Sequence, residues 1–125
     1  MRDHERAAFA GFESSPIATW VSAIDPLRFI WANAKALELW SAESLEVLRA
    51  RDMSNTSETS VRQARAWLQA FAAGTLEVVE AEWTLYPHGK PRRVRLFISP
   101  ITLVDGTLAM LQQAIPMHAG LVDPD

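Results

Sequence analysis

The spacing of apolar and polar positions divides the chain into strand-like and helix-like stretches. Thr19-Trp20-Val21-Ser22-Ala23-Ile24 is rich in β-branched and aromatic residues and stops at the turn pair Asp25-Pro26. Arg28-Phe29-Ile30-Trp31-Ala32 reads as its partner, so residues 19–32 are expected to form a β-hairpin. Ala34 to Trp40 has helical propensity, and Asn33 suits its N-cap because the side-chain oxygen can accept from free first-turn amides. Ser41 is expected to cap a second short helix through Leu48, with Glu43 and Glu46 near its positive end. Beyond a polar segment, 52–60, Ser60-Val61-Arg62-Gln63 has the form of a capping box. The helix it opens should run to Ala73 and stop at Gly74. Val61, Ala64, Leu68, Phe71 and Ala72 fall at helical spacing, with Trp67 flanking that face.

The last third is strand-like. Leu76–Tyr86, Arg92–Leu103 and Thr107–Ile115 are separated by Pro87-His88-Gly89-Lys90-Pro91 and Val104-Asp105-Gly106. A turn centred on His88-Gly89 would set Glu82 opposite Arg95 and Trp83 opposite Val94, charge against charge and apolar against apolar. Asp-Gly between two apolar runs predicts a second hairpin, with a bulge expected near Pro100, which cannot donate to a ladder. Before all of these, Ala7, Ala8, Phe9 and Phe12 share one side of a short N-terminal helix that Ser15-Pro16 ends. The expected organisation is an N-terminal helix or cap (1–15), one domain (16–116) and a tail (117–125). The fold class is α+β: a five-stranded antiparallel sheet with helices packed on one face.

Composition narrows the function classes. A chain of 125 residues is the size of one domain. Its formal charge of -3 argues against a generally basic nucleic-acid binder. With no apolar run of membrane-spanning length and no signal-peptide core, the expectation is a soluble, cytoplasmic domain without membrane insertion. The absence of cysteine excludes disulfides, thiolate catalysis and Cys-ligated metal. Lys90-Pro91-Arg92-Arg93-Val94-Arg95 is the one basic cluster, and Glu80 and Glu82 supply counter-charges across the hairpin, so a solvated strand face is favoured over nucleic-acid contact. The same pairing makes Glu80 and Glu82 poor candidates for an acid/base pair. No Ser/His/Asp order, Gly-rich phosphate loop or metal-spaced His pair is present, and no enzyme activity is expected.

The element order, with its punctuation, resembles the PAS sensory-domain family. The matching pieces are Ser15-Pro16 before the first strand, Asp25 closing it, Phe29-Ile30-Trp31-Ala32 running into Asn33, and Trp40-Ser41-Ala42-Glu43-Ser44-Leu45. Phe71-Ala72-Ala73-Gly74, then Glu82-Trp83-Thr84-Leu85-Tyr86-Pro87-His88-Gly89-Lys90-Pro91, Ser99-Pro100-Ile101 and Asp105-Gly106 follow in order, covering roughly residues 10–115. The resemblance implies a non-catalytic input module of a bacterial signalling protein, such as a histidine kinase or a cyclic-di-GMP enzyme of the GGDEF or EAL type. By that reading the chain leaves no room for an output domain and is an excised or free-standing sensor. Adduct-type flavin and cinnamoyl photochemistry in this family need a cysteine, which is lacking. Haem-binding members place a histidine on the long helix; here Val61 to Ala73 contains none, and His4, His88 and His118 lie elsewhere. Noncovalent flavin has no residue that supports it, and the cofactor stays unknown. Many members end the last strand in Asp-Ile-Thr. Here Ala114-Ile115-Pro116 stands instead, and the proline is expected to stop the strand.

Candidate binding residues follow from the faces. Trp40, Trp67, Leu68, Phe71, Trp83, Leu85, Ile98 and Met110 are expected to line a space between helix 61–73 and the sheet, with one of Gln112 and Gln113 pointing inward. Core packing is the competing role for each aromatic residue, and a main-chain or water partner for the glutamine. If Ile30 and Ala32 face the helices, Phe29, Trp31 and Phe97 face the other side of the sheet. That apolar face must be covered by the N-terminal helix, through Phe9 and Phe12, or by a second subunit in a homodimer. Asn33 is expected to be structural. The leading expectation is a small-molecule sensor that reports to an effector domain or partner protein. The alternative is a dimerisation module with a filled core and no ligand.

Overall fold

The computed structural model describes residues 9–24, 27–54, 56–87 and 90–117. The turn pairs Asp25-Pro26 and His88-Gly89, the start of the N-terminal helix with His4, and the tail from His118 lie outside these residues. The strands are β1 (Ala18–Ala23), β2 (Arg28–Ala32), β3 (Val79–Leu85), β4 (Arg92–Thr102) and β5 (Leu108–Pro116). They form one five-stranded sheet in the order β2-β1-β5-β4-β3, and its four pairings are antiparallel. Between β2 and β3 run the helices α1 (Ala34–Leu39), α2 (Leu45–Arg49) and α3 (Glu58–Ala73). Their apolar sides join the sheet in a core containing Trp20, Ala36, Leu39, Leu48, Phe71, Leu96 and Ile98. This is the expected α+β architecture.

Local chemistry accounts for most boundaries. Asn33 caps α1 by accepting from Ala36 N, and Gly74 ends α3 at φ 77°, where the absence of a Cβ removes the left-handed penalty. Asp105-Gly106 makes the tight β4–β5 connection, with Gly106 at φ 89° and the Asp105 carboxylate accepting from Thr107 N at 2.9 Å. The β3–β4 register is the one the charge pattern requires, Glu82 opposite Arg95 and Trp83 opposite Val94.

Several expectations are corrected. α2 is capped by Ser44, which accepts from Val47 N, whereas Ser41 sits at φ 55° outside any helix. α3 starts a turn early, with Ser57 accepting from Ser60 N, so Ser60 is inside the helix rather than its cap. Pro100 pairs with Met110 in an unshifted ladder and causes no bulge. β3 pairs with β4 only as far as Ile98, so at Pro100 the strand has a neighbour on one side and the missing donor is tolerated. β5 does end at Pro116, one residue beyond the expected Ile115. β3 begins at Val79, not Leu76.

The bulge lies instead in the β1–β2 pair. Val21 faces Trp31 but Ser22 faces Phe29, leaving Ile30 as an extra residue. One extra residue reverses strand parity, so Ile30 and Trp31 both join the outer apolar cluster while Phe29 and Ala32 join the helix-side core. Phe29 is therefore a core-side residue and not part of the outer face. On that outer face, Phe9 stacks on Trp31 with ring centroids 5.3 Å apart, and Phe12 packs against the same cluster. The described part of the N-terminal element is a 3-10 turn, Ala10–Phe12. Phe97 lies on the same face between Glu80 of β3 and Gln113 of β5, half-buried.

Candidate functional site

Alternation along β1, β4 and β5 delivers one set of side chains to the space beneath α3. Trp20 and Ser22 come from β1, Leu96 and Ile98 from β4, and Met110 and Gln112 from β5. The bulge adds Phe29, α1 ends at Trp40, and β3 contributes Trp83 and Leu85. From above, Ser60, Val61, Ala64 and Trp67 of α3 and Met53 and Thr56 of the preceding segment close the space. The result is a mostly apolar cavity of about 120 Å³. At one end Trp40 meets Trp20 and Phe29 edge-on, with centroids 5.6 and 4.9 Å away. At the other, Trp67 and Trp83 tilt against each other at 5.6 Å. Such pairs add roughly 0.5–1.5 kcal/mol beyond area burial, so the walls are held in place without help from an occupant.

Polar groups in this wall are few. Gln112 is the inward glutamine and donates from Nε2 to Ser22 Oγ, so the two satisfy each other. Gln113 faces the opposite side, beside Phe97 and Thr19. Trp40 is 8% exposed, yet its Nε1–H has no hydrogen-bond partner among the described residues. A buried donor left without an acceptor costs on the order of 1–3 kcal/mol. That cost makes Trp40 the exception in an otherwise satisfied wall.

Beside the cavity lies a second cleft of about 650 Å³, lined by Arg51, Asp52, Met53, Thr56, Ser57, Ser60 and the end of β3. The two spaces share Trp40, Met53, Thr56, Ser60, Trp83 and Leu85. Arg51 holds the cleft together: Nη1 donates to the carbonyls of Trp40 at 2.9 Å and Pro87 at 3.3 Å, and Nη2 to Ser41 at 3.5 Å. Next to it, the Ser54 amide donates to the Asp52 carboxylate, which together with the Ser54 side chain holds that carboxyl below its ordinary range.

Of the residues the sequence pointed to, Trp40, Trp67, Trp83, Leu85, Ile98, Met110 and Gln112 line the cavity. Phe71 is buried in the core and Leu68 packs against it, and neither reaches the cavity wall. Sequence reasoning missed Trp20, Phe29, Met53, Leu96 and Arg51. Trp20 and Leu96 carried a usable signal, since each lies two strand positions from another cavity residue. Arg51 carried none, because its partners are carbonyls 11 and 36 residues away. Glu80 and Glu82 sit on the outer sheet face, paired with Arg95 and Arg93 at 2.8 and 2.7 Å. Among the described residues no group of His, Asp and Glu converges as a metal site, and no helix is long and apolar enough to cross a membrane.

No family model matches the sequence, and no curated protein matches it. Solved structures do. The PAS domain of nitrogen regulation protein NR(II) from Vibrio parahaemolyticus superposes with a TM-score of 0.64 at 19% identity, covering 88% of this chain and 97% of that one. The PAS domain of BvgS from Bordetella pertussis gives 0.63 at 17% identity, over 98% and 94% of the two chains. A LOV protein from Rhodobacter sphaeroides gives 0.65 at 14% identity, over 94% and 69%. The chain has the PAS fold.

Proposed function

We propose that this chain is a non-catalytic sensory input module whose cavity under α3 binds a small molecule and whose outer sheet face transmits the result. The observation that carries this reading is the mostly apolar pocket of about 120 Å³ beneath α3. A module that only fills its core would leave no such space, because protein interiors hold few voids larger than a water molecule. The likeness to PAS domains of nitrogen regulation protein NR(II) and BvgS supports a signalling context. Occupancy would shift the inward side chains of β3, β4 and β5. Those strands carry Phe97, Leu111 and Gln113 on the opposite face, where a homodimer partner or effector would read the change. The chain works in the cytoplasm on this reading.

Native mass spectrometry of the purified protein, followed by a fragment screen observed through ligand NMR, tests the proposal. An extra mass lost on denaturation, or fragments displaced by a Trp83→Ala change, is the expected result. A clean dimer mass with no fragment bound would favour the alternative, a dimerisation module without ligand.

A further inference from the structure

The cavity and the cleft meet at Trp40, and their chemistry differs sharply across it. On the cavity side the lining is mostly apolar; Gln112 is bonded to Ser22, and Arg28, Thr56 and Ser60 are the other polar residues there. Its volume of about 120 Å³ is a little below the ~150 Å³ of a dry apolar cavity that takes up benzene. One ring fits; a tricyclic chromophore does not fit without repacking. On the cleft side stands Arg51, whose hydrogen bonds among the described residues go to neutral carbonyl oxygens. Those bonds aim the guanidinium without cancelling its charge. The neighbouring Asp52 carboxylate is turned to the Ser54 amide. Trp40 lines both spaces, with its Nε1 closed off from each of them.

Resting on the reading of the cavity as a ligand site, we propose that it takes a one-ring aromatic carboxylic acid. The ring occupies the cavity among Trp20, Phe29 and Trp83. The carboxylate lies at the cleft, facing the Arg51 guanidinium. An anionic acceptor suits this cation, because charge-assisted hydrogen bonds to a carboxylate are shorter and stronger than neutral ones. Arginine also presents its donors as a planar fork that matches a carboxylate. Association is non-covalent, with no bond made or broken.

Titration of the whole chain, followed by NMR, with phenylacetate, phenylacetamide and toluene separates the contributions. Phenylacetate is expected to bind at least about tenfold tighter than the isosteric phenylacetamide. Arg51→Gln should bring that ratio down to about threefold or less, with toluene affinity altered less than about twofold. Retained toluene binding shows that the variant keeps the cavity. Equal affinity for acid and amide overturns the proposal, as does loss of the preference in Arg28→Gln rather than Arg51→Gln, Arg28 being the cation on the cavity's own lining. Toluene binding without acid preference overturns the ligand class and leaves the sensory reading standing. Failure of all three probes overturns both.

Discussion

Replacing Asn33 by alanine should unfold the junction on which the helix layer is hung. The side chain is fully buried and makes four hydrogen bonds: Oδ1 accepts from Thr19 N at 3.1 Å and Ala36 N at 3.0 Å, and Nδ2 donates to Phe12 O at 2.9 Å and Ile17 O at 3.0 Å. The two carbonyls have other donors, Ser15 N and Thr19 Oγ1, and survive the loss. The two amides do not. A buried orphan amide costs about 1–3 kcal/mol, and loss of an N-cap about 1 kcal/mol. Counting Thr19 N as the orphan and Ala36 N as the lost cap gives roughly 3 kcal/mol. Against a domain stability of about 5–15 kcal/mol, that is a large share. Urea unfolding followed by tryptophan fluorescence should show it as a lower midpoint with an unchanged slope. Asn33→Asp provides a control, because it keeps both acceptor contacts and loses both donors. It should be destabilised more at pH 7 than at pH 4, where protonation restores one donor. A loss below about 1 kcal/mol for Asn33→Ala would refute the assignment of this residue as the link between β1 and α1.

Three further outcomes are expected. Gly74→Ala, at a C-cap with φ 77°, should lose about 1 kcal/mol by the same unfolding assay, since no contact but only the backbone conformation opposes the methyl group. Ile98→Ala, 1% exposed beneath the cavity, should cost about 2–5 kcal/mol by calorimetry, and a smaller loss would mean that the cavity collapses onto the deletion. Ser54→Ala removes the side-chain bond that helps hold the Asp52 carboxyl low, leaving the backbone one. NMR titration should show Asp52 moving up toward 3.8. Because the folded-state value is depressed, what Ser54 contributes is present above the ordinary carboxylate range and lost as pH falls through the folded value.

How much of this could be read in the chain depended on how local the cause was. The β3–β4 register followed from Glu80, Glu82, Arg93 and Arg95, because neighbours on strands adjacent in the chain are set by short-range spacing. Arg95 reaches Glu80 at 2.8 Å and Glu82 at 3.4 Å, and Arg93 reaches Glu82 at 2.7 Å. These exposed pairs are worth little individually, so they report the register more than they enforce it. Helix starts were read less well. Ser57 and Ser60 are both competent caps three residues apart, as are Ser41 and Ser44, and which one wins depends on where the preceding chain is held.

The identity of the cavity residues divides along the same line. Asn33 as a cap, Gly74 as a stop, the Asp-Gly hairpin and the sheet-and-helix class were legible because each rests on a residue's own backbone preference or on periodicity. Phe29 was not. Its inward position is decided by the extra residue at Ile30, which arises only when β1 pairs with β2 and which reverses the alternation that sequence reasoning must assume. Likewise the choice of Gln112 over Gln113 awaited an unshifted β4–β5 ladder through Pro100, and that ladder is tolerated because the pairing with β3 ends at Ile98. Arg51 and the unmet Trp40 donor belong wholly to tertiary structure. A guanidinium that reaches a carbonyl 36 residues away, and an indole N–H that meets no acceptor, are properties of packed surfaces, to which no pattern along a single chain corresponds.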